Sequence, residues 1–450
     1  MGDALESETV LTNKSRIAKL SRDTKNKVIF SLNQFLTIDW LKEAWKLTRK
    51  SGALGVDEQS AEEYGVNLEE NLISLLERLK SGTYIAPKIR RHYIPKSDGS
   101  QRPLGIPTFE DKIAQKAIAM ILEIIYEQDF LNCSFGFRPN RSAHQALREI
   151  RNQIMDHRAT WVLDIDIQKF FDSIDHAELR KILDKRVCDG VIRRLIDKWL
   201  KAEIFYEGIS TKPISGTPQG GVISPVLANI FLHTILDEWF ENEVKPRIKS
   251  PGFMVRFCDD FVMGFEKRAD AIRVFKVLPK RLEKFGLTMH EKKSHLVDFR
   301  SPPNKISKTK LKEFEGRIRK IQSFNFLGFS HIWHSSRNGY WVIYQVTMKS
   351  RYARGLLSIK QWCKFHRHES LKLQAKRLRQ FLLGHYSYFG ITGNHRRLRR
   401  FYREVTELWK KWLSRRARGQ NVDWQQFNQL LQRHPLPKPK IIHQYYTANL

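Results

Sequence analysis

Cysteine is scarce in this chain, with four among 450 residues. Cys133, Cys188, Cys258 and Cys363 are scattered, and no two of them form a C-x-x-C pair. This spacing argues against both a zinc knuckle and a disulfide framework. It indicates instead a protein that works in a reducing compartment.

Long apolar runs are also missing. The polar N-terminus has no apolar core like that of a signal peptide, and no uninterrupted apolar run reaches membrane length. Residues 1–12 contain three acidic groups and no Lys or Arg, which disfavours an organelle-targeting peptide. We therefore expect a cytoplasmic protein with no secretion signal and no membrane partner.

Acidic residues are few in the last third of the chain. Residues 301–450 hold 31 Lys and Arg against 6 Asp and Glu, or +25, whereas residues 1–300 hold 48 against 42, or +6. Trp, Tyr and Phe are interleaved with this basic stretch. The combination favours binding to a nucleic acid. A merely solvated basic helix surface is the alternative.

The remaining composition predicts a folded chain. Hydrophobic residues make up 41% of it, and 450 residues suffice for two or three domains. Apolar residues at helical spacing predict a helix over 68–80 that ends at Gly82. Ser224 as N-cap and Pro225 as first helical residue predict a second helix, running to about Glu243.

Two adjacent carboxylates mark the stretch 253–265. Apolar, strand-like runs flank Cys258-Asp259-Asp260, which predicts a β-hairpin with both aspartates at its tip. Neighbouring carboxylates repel, and a bound divalent cation is the simplest compensation. Ligation by oxygen alone suits Mg²⁺ or Mn²⁺.

A second acidic strand lies upstream. Residues 160–167 alternate as a strand does, so Asp164 and Asp166 share one face. Such a strand beside the hairpin tip can hold a pair of magnesium ions, the arrangement used for in-line nucleotidyl transfer. Spacing alone does not separate the two aspartates.

The motif Phe257-Cys258-Asp259-Asp260 resembles the aromatic-x-Asp-Asp signature of reverse transcriptases, with Cys258 where Ala is commonest and Phe257 where Tyr is. Further blocks resemble, in the same order, those of the reverse transcriptases encoded by group II introns. These blocks are residues 94–107, 134–139, 216–225 and 326–329. The resemblance implies an α+β fold, a right-hand polymerase with fingers, palm and an α-helical thumb.

The resemblance also implies how the chain divides. The expected parts are an N-terminal extension with the start of the fingers (1–85), fingers and palm (86–345), a maturase-like α-helical thumb (346–413) and a basic tail (414–450) that is a candidate DNA or RNA contact. No Cys/His-rich endonuclease module is recognisable in the sequence. We therefore expect a bacterial-type member that lacks an endonuclease domain.

The family's spacing implies a metal site formed by Asp166, the adjacent Ile167, Asp259 and Asp260. Two Mg²⁺ ions are the implied cofactors, with Mn²⁺ as a substitute. Asp166, Asp259 and Asp260 are also the implied catalytic carboxylates. Asp164 is either catalytic or structural.

A lysine is implied next to the pyrophosphate leaving group. Lys293 aligns best with this family lysine, which would protonate or neutralise pyrophosphate. The neighbouring Lys292 is the alternative, because the double Lys leaves the register open.

Four residues are implied around the incoming dNTP. Lys96 and Arg102 flank a turn between two predicted strands and could both reach the triphosphate. The ring of Phe171 stands where it would clash with a ribose 2′-hydroxyl and so select deoxynucleotides, which disfavours an RNA polymerase. Gln219 lies on a Gly-rich turn that the resemblance places against nucleotide and template.

A further set of residues is implied to contact template, primer or RNA: Arg138, Phe257, Leu327, Gly328, Arg396, Arg397, Arg399 and Arg400. For Arg138 the sequence leaves internal carboxylates as an equal alternative. Leu327 and Gly328 belong to the small hairpin that positions the primer strand in the family, and the four other arginines form the densest basic cluster of the thumb.

Together these features predict a group II intron reverse transcriptase that binds intron RNA and assists splicing and mobility. Its expected partners are a structured RNA template, a DNA primer or target, and dNTPs. Two alternatives stay open: a splicing cofactor whose polymerase is dispensable, and a relative recruited to host defence or DNA repair.

Overall fold

A computed structural model describes most of the chain, namely residues 8–25, 27–95, 99, 101–302, 322–336, 338–416 and 421–445. Helices and strands alternate through it, so the fold is mixed α+β. Among the described helices, none has the length and apolar character needed to cross a membrane.

The N-terminal part is helical. Its helices are α1 (Glu8–Asp23), α2 (Ile38–Leu47), α3 (Ala61–Val66), α4 (Leu68–Ser81) and α5 (Phe109–Glu127). α4 buries Leu72, Leu75 and Leu79 on one face and ends at Gly82, whose φ of +85° is readily adopted by glycine, as the sequence predicted. α5 is buried on most of its surface and forms the centre of the largest apolar cluster.

The first sheet has the strand order β2-β1-β4-β5. Its strands are β1 (Ile89–Pro95), β2 (Gln101–Ile106), β4 (Ile204–Tyr206) and β5 (Ile209–Thr211). β1 and β2 are antiparallel, which confirms the pair of strands predicted around the turn at 98–99. Ile94 pairs with Arg102, so this arginine lies next to the turn.

The central sheet has the strand order β6-β7-β3-β8. Its strands are β3 (Trp161–Ile165), β6 (Gly252–Phe257), β7 (Asp260–Phe265) and β8 (His295–Asp298). The helices that lie between these strands in the chain are α7 (Phe170–Ser173), α8 (His176–Asp184), α9 (Gly190–Leu200), α10 (Ser224–Leu232) and α11 (Arg268–Glu283), and α6 (Ala143–His157) precedes β3. β3 is flanked by β7 and β8, so the sheet places both acidic stretches side by side.

The helix predicted from Ser224 differs in two respects. Ile223, not Ser224, precedes the first turn, because the Ser224 hydroxyl donates to the Pro218 carbonyl (2.9 Å) instead of capping the helix. After α10 the chain continues as π-helical turns, His233–Asp237 and Phe240–Val244.

The third sheet, β11-β10-β9, leads into the C-terminal helices. Its strands are β9 (Phe324–Phe326), β10 (Phe329–Ser335) and β11 (Trp341–Thr347), and the helices are α12 (Lys349–Phe365), α13 (Leu371–Phe389), α14 (His395–Leu413) and α15 (Trp424–Arg433). One apolar cluster joins α6 to the central and third sheets, and another lies within the C-terminal helices.

The described part of the basic tail packs back onto the protein. The backbone N–H groups of Ile442 and His443 donate to Gly390 (2.7 and 2.9 Å), while Lys438 and Lys440 remain exposed. The tail that was expected as a DNA or RNA contact is therefore fixed by its backbone to the end of α13.

Candidate active site

The acidic hairpin forms as predicted. β6 and β7 pair down to Phe257 and Asp260, which leaves Cys258 and Asp259 as a two-residue turn. Cys258 has a φ of +59°, in the left-handed region that few residues other than glycine adopt. The turn therefore needs support from its surroundings to hold this geometry.

Strand register brings the second acidic stretch to this tip. Ile165 pairs with Phe261 across β3 and β7, so the next residues along, Asp166 and Asp260, are neighbours. Asp164 lies on the same face of β3, two residues before Asp166. The structure thus brings together the carboxylates that are far apart in the sequence.

The electrostatics show this crowding. Burial raises the pKa of Asp260 to about 7, and repulsion from Asp164, Asp259 and Asp166 adds to it. Burial also raises the pKa of Asp164 to about 6, against the opposing effect of His295. Protein atoms surround most of the Asp260 carboxylate, although solvent still reaches the residue at the hairpin tip.

A lysine faces the cluster. Lys293 Nζ lies 3.2 Å from Asp166 Oδ2, and both side chains are about half exposed. The backbone N–H of His290 donates to the Asp166 carbonyl (2.8 Å), and the Ser294 hydroxyl accepts from the Asp166 N–H (3.2 Å). The segment that carries Lys293 is therefore fastened to the end of β3, and Lys293 rather than Lys292 is the lysine paired with Asp166.

No three His, Cys, Asp or Glu side chains are arranged as a ready-made metal site within the described residues. Asp166, Asp259 and Asp260 nonetheless fit a hard divalent cation, because they offer only carboxylate oxygens and repel one another. Ile167, expected among the ligands, is buried and bridges to Met289.

Three of the four expected dNTP residues, Arg102, Phe171 and Gln219, belong to segments that contact one another. Burial raises the pKa of Asp259, and the positive charge of Arg102 opposes that rise. The Gln219 carbonyl accepts from the Gly105 N–H (2.6 Å), which docks the Gly-rich turn onto β2. The Phe171 carbonyl accepts from the Thr217 N–H (2.7 Å), so α7 supports the same turn. Lys96 lies outside the described residues.

The turn after Gln219 depends on a glycine. Gly220 has a φ of +110°, and a Cβ there would lie 2.6 Å from the Gly105 carbonyl oxygen. Only glycine lets the turn approach β2 this closely.

Arg138 pairs with an internal carboxylate, which is one of the two alternatives that the sequence left open. Its side chain is 2% exposed and forms a two-pronged ion pair with Glu127, with Nη2–Oε1 at 2.8 Å and Nε–Oε2 at 2.9 Å. Nη1 donates to the carbonyls of Leu131 and Ser134. The guanidinium is thus committed inside the protein, and the nucleic-acid contact expected of it is not favoured.

The Leu327-Gly328 turn lies against the acidic cluster. Both residues have positive φ, and the Leu327 backbone hydrogen bond lowers the pKa of Asp260, against the dominant effect of burial. The Leu327 carbonyl accepts from the Tyr388 hydroxyl of α13 (2.8 Å). This turn therefore connects the C-terminal helices to the carboxylates. Phe257 is half-buried beside it in the second apolar cluster.

The arginine cluster of α14 lines a groove of about 1380 Å³ between that helix, the third sheet and Lys438 of the tail. Its basic side chains include Arg396, Arg397, Arg399, Arg400 and Arg403. Arg400 pairs with Glu404 (2.6 Å), and Tyr344 stacks on His334 at the groove wall. Positive charge with aromatic rings in a groove suits a nucleic-acid backbone and bases.

One residue for which the sequence raised no expectation is Arg256. It is fully buried beneath the hairpin tip and pairs with Asp237. A charged residue in the otherwise apolar run of β6 is the signal that could have identified it, because such a charge requires a buried partner.

Comparisons with known proteins agree with this geometry. Residues 94–331 match the family model described as "Reverse transcriptase (RNA-dependent DNA polymerase)". "Protein YkfC" of Escherichia coli (strain K12) is 35% identical over 269 residues, which cover 52% of this chain and 71% of that protein.

Two further relatives are longer proteins. "Group II intron-encoded protein LtrA" of Lactococcus lactis subsp. cremoris is 45% identical over 168 residues, 37% of this chain and 28% of that protein. "Uncharacterized 91 kDa protein in cob intron" of Schizosaccharomyces pombe is 35% identical over 232 residues, 52% of this chain and 27% of that protein. The matched regions thus span under a third of either relative.

Proposed function

This chain belongs to the reverse transcriptase (RNA-dependent DNA polymerase) family, and on that premise we propose that it extends a DNA primer on an RNA template. The observation that carries the proposal is the convergence of Asp166, Asp259 and Asp260 at one edge of the central sheet. In the proposed reaction the primer 3′-hydroxyl attacks the α-phosphate of a dNTP and pyrophosphate leaves.

The three carboxylates would bind two Mg²⁺ ions, which supply activation of the attacking oxygen and support of the leaving group when bound. Asp259 and Asp260 share the hairpin tip, and Asp166 approaches from β3. Lys293 would turn from Asp166 to hold or protonate the pyrophosphate. We also propose the backbone of Ile167 as a ligand, while Asp164 is a neighbour that adds negative charge.

The dNTP would occupy the corner formed by Arg102, Phe171 and Gln219. The close approach of the Gly-rich turn to β2 and α7 supports this assignment. Arg102 would hold the triphosphate together with Lys96, and the Phe171 ring would exclude a ribose 2′-hydroxyl.

We propose the division of the chain implied by the family. The first sheet and its helices would be the fingers, the central sheet the palm, and α12 to α14 the thumb, with boundaries near residues 85, 345 and 413. The Leu327-Gly328 turn would hold the primer strand next to Asp260, which its contact with that carboxylate supports.

We further propose that the protein is of the group II intron type, binds structured intron RNA and assists its splicing and mobility. The arginine groove of α14 and the similarity to an intron-encoded protein support this role. RNA would be held through phosphate and shape contacts. The scattered free cysteines support a cytoplasmic setting.

The test is primer extension on an RNA template with Mg²⁺. Asp259→Ala and Asp260→Ala should each abolish extension and leave RNA binding nearly unchanged, because neither residue lines the arginine groove and neither carries a positive charge. Extension retained by either variant would contradict the assignment. A splicing assay with the same variants tells whether splicing depends on the polymerase chemistry.

A further inference from the structure

A buried ionic network lies directly beneath the acidic hairpin. Arg256 of β6 donates from Nε and Nη2 to the two carboxylate oxygens of Asp237, at 2.7 and 2.5 Å. Neither side chain is exposed at all. Burial by itself would raise the pKa of Asp237, but the Arg256 charge and its hydrogen bonds hold that pKa below its usual value. The pair is therefore ionised inside the protein.

The third nitrogen of Arg256 is turned toward the hairpin tip. Nη1 donates to the Cys258 carbonyl (3.1 Å) and to Asn229 Oδ1 (2.9 Å). The Asn229 amide in turn donates to the Gly136 carbonyl (2.6 Å). The network thus connects two residues of the α10 region to the turn that carries the catalytic carboxylates.

The segment 133–136 closes this network from the other side. The Arg256 N–H donates to the Cys133 carbonyl and the Phe135 N–H to the Arg256 carbonyl, both at 2.8 Å. A Cβ on Gly136 would lie 2.5 Å from the Cys258 nitrogen, so the segment touches the turn itself. Cys258 is supported on both sides.

The π-helical turn after α10 explains how Asn229 and Asp237 reach the same arginine. An α-helix rotates about 100° per residue, so eight residues would leave the two side chains about 80° apart. The turn His233–Asp237 accommodates one extra residue and offsets most of that angle. A straight α-helix would turn Asp237 away from Arg256.

We propose that Asp237, Arg256 and Asn229 are positioning residues that hold Cys258 in its left-handed conformation and thereby aim Asp259 and Asp260 at Asp166. An apolar core of the same volume would stabilise the fold about as well as a buried ion pair does. It would offer no donor to the Cys258 carbonyl, however. The proposal rests on the polymerase function proposed above.

The test compares Arg256→Lys and Asn229→Ala with a matched control, Arg186→Lys. Arg186 is also a buried arginine, 7% exposed, in a two-pronged pair with Asp129. Lysine keeps the charge at either position but loses the fork of donors. Thermal midpoint, kcat, KM for dNTP, half-saturating Mg²⁺ and primer–template Kd are measured for each protein.

We expect Arg256→Lys to lower kcat about 100-fold, as a misplacement of about 1 Å does, and to raise the half-saturating Mg²⁺ concentration. The primer–template Kd should stay at the wild-type value. Arg186→Lys should lose a similar amount of thermal stability and keep its kcat. Equal kcat values for the two variants would overturn the proposal.

Two further measurements keep the outcome decisive. If Arg256→Lys does not fold, Asn229→Ala decides, because it leaves the Arg256–Asp237 pair in place; wild-type kcat and Mg²⁺ dependence in this variant would overturn the proposal. If the wild-type chain extends no primer, the polymerase function fails by itself. Mn²⁺ affinity by electron paramagnetic resonance then tests the positioning role, and affinities unchanged by Asn229→Ala would refute it.

Discussion

His331 should make the stability of this protein fall in mild acid. The imidazole is fully buried in β10, stacks on Phe324 with ring centroids 4.3 Å apart, and has Nδ1 3.3 Å from Gln345 Nε2. Burial lowers the pKa of His331 to about 3. In mild acid His331 is therefore protonated in the unfolded chain but stays neutral in the folded chain.

The sign and size of this pH effect follow from the difference between the pKa of His331 in the folded and the unfolded chain. Since the folded pKa is below the unfolded value of about 6.5, the contribution of His331 is complete above that pH and is lost progressively as the pH falls toward 3. Between pH 7 and pH 5 the free energy of unfolding should drop by about 2 kcal/mol on account of this one group.

Urea unfolding at pH 7 and pH 5 measures this drop in the wild type, in His331→Leu and in the control His334→Leu. His334 belongs to the same strand but is exposed. Between pH 7 and pH 5 the free energy of unfolding of the wild type and of the control should fall by about 2 kcal/mol more than that of His331→Leu. His385, whose pKa burial lowers to about 4, remains in all three proteins and cancels. Equal losses in all three would refute the reasoning.

Three other predictions concern the site. Lys293→Ala should lower kcat about 100-fold while Lys292→Ala stays near wild type, because only Lys293 pairs with the acidic cluster; single-turnover primer extension measures both, and equal losses would contradict the assignment. Phe171→Ala should raise rNTP relative to dNTP incorporation, measured with both substrates, and an unchanged ratio would exclude the ring as a gate. Arg138→Ala should cost about 3 kcal/mol of unfolding free energy by leaving Glu127 unpaired, with template Kd unchanged in a binding titration; a weaker template affinity at full stability would instead support a nucleic-acid contact.

Elements with a strong local pattern could be predicted from the sequence. The hairpin around Cys258 and the end of α4 at Gly82 agree with the structure, since alternation, helical spacing and glycine at a left-handed cap are properties of neighbouring residues. The helix predicted from Ser224 to about Glu243 is helical over that length, but its interior contains π-helical turns that the sequence did not predict. One of these turns contains Asp237, which pairs with Arg256 on a strand that is distant in the sequence.

Partner choice for a charged side chain could not be predicted. Arg138 was compatible with a template or with internal carboxylates, and the register of Lys292 and Lys293 was open. The structure pairs Arg138 with Glu127 and Lys293 with Asp166. Both outcomes depend on which segments meet, and a side chain's charge says nothing about that.

The sequence by itself determined the chemistry this chain carries: acidic pairs in strands, a basic last third and the motif order of its family. Only the tertiary structure decided that Asp164 and Asp166 lie against Asp260. It also decided that Arg256 donates a hydrogen bond to the Cys258 carbonyl, in the turn of the acidic hairpin. The reason is physical. Residue type and spacing act along the chain, whereas register, burial and ion pairing arise between strands and helices that are distant in it.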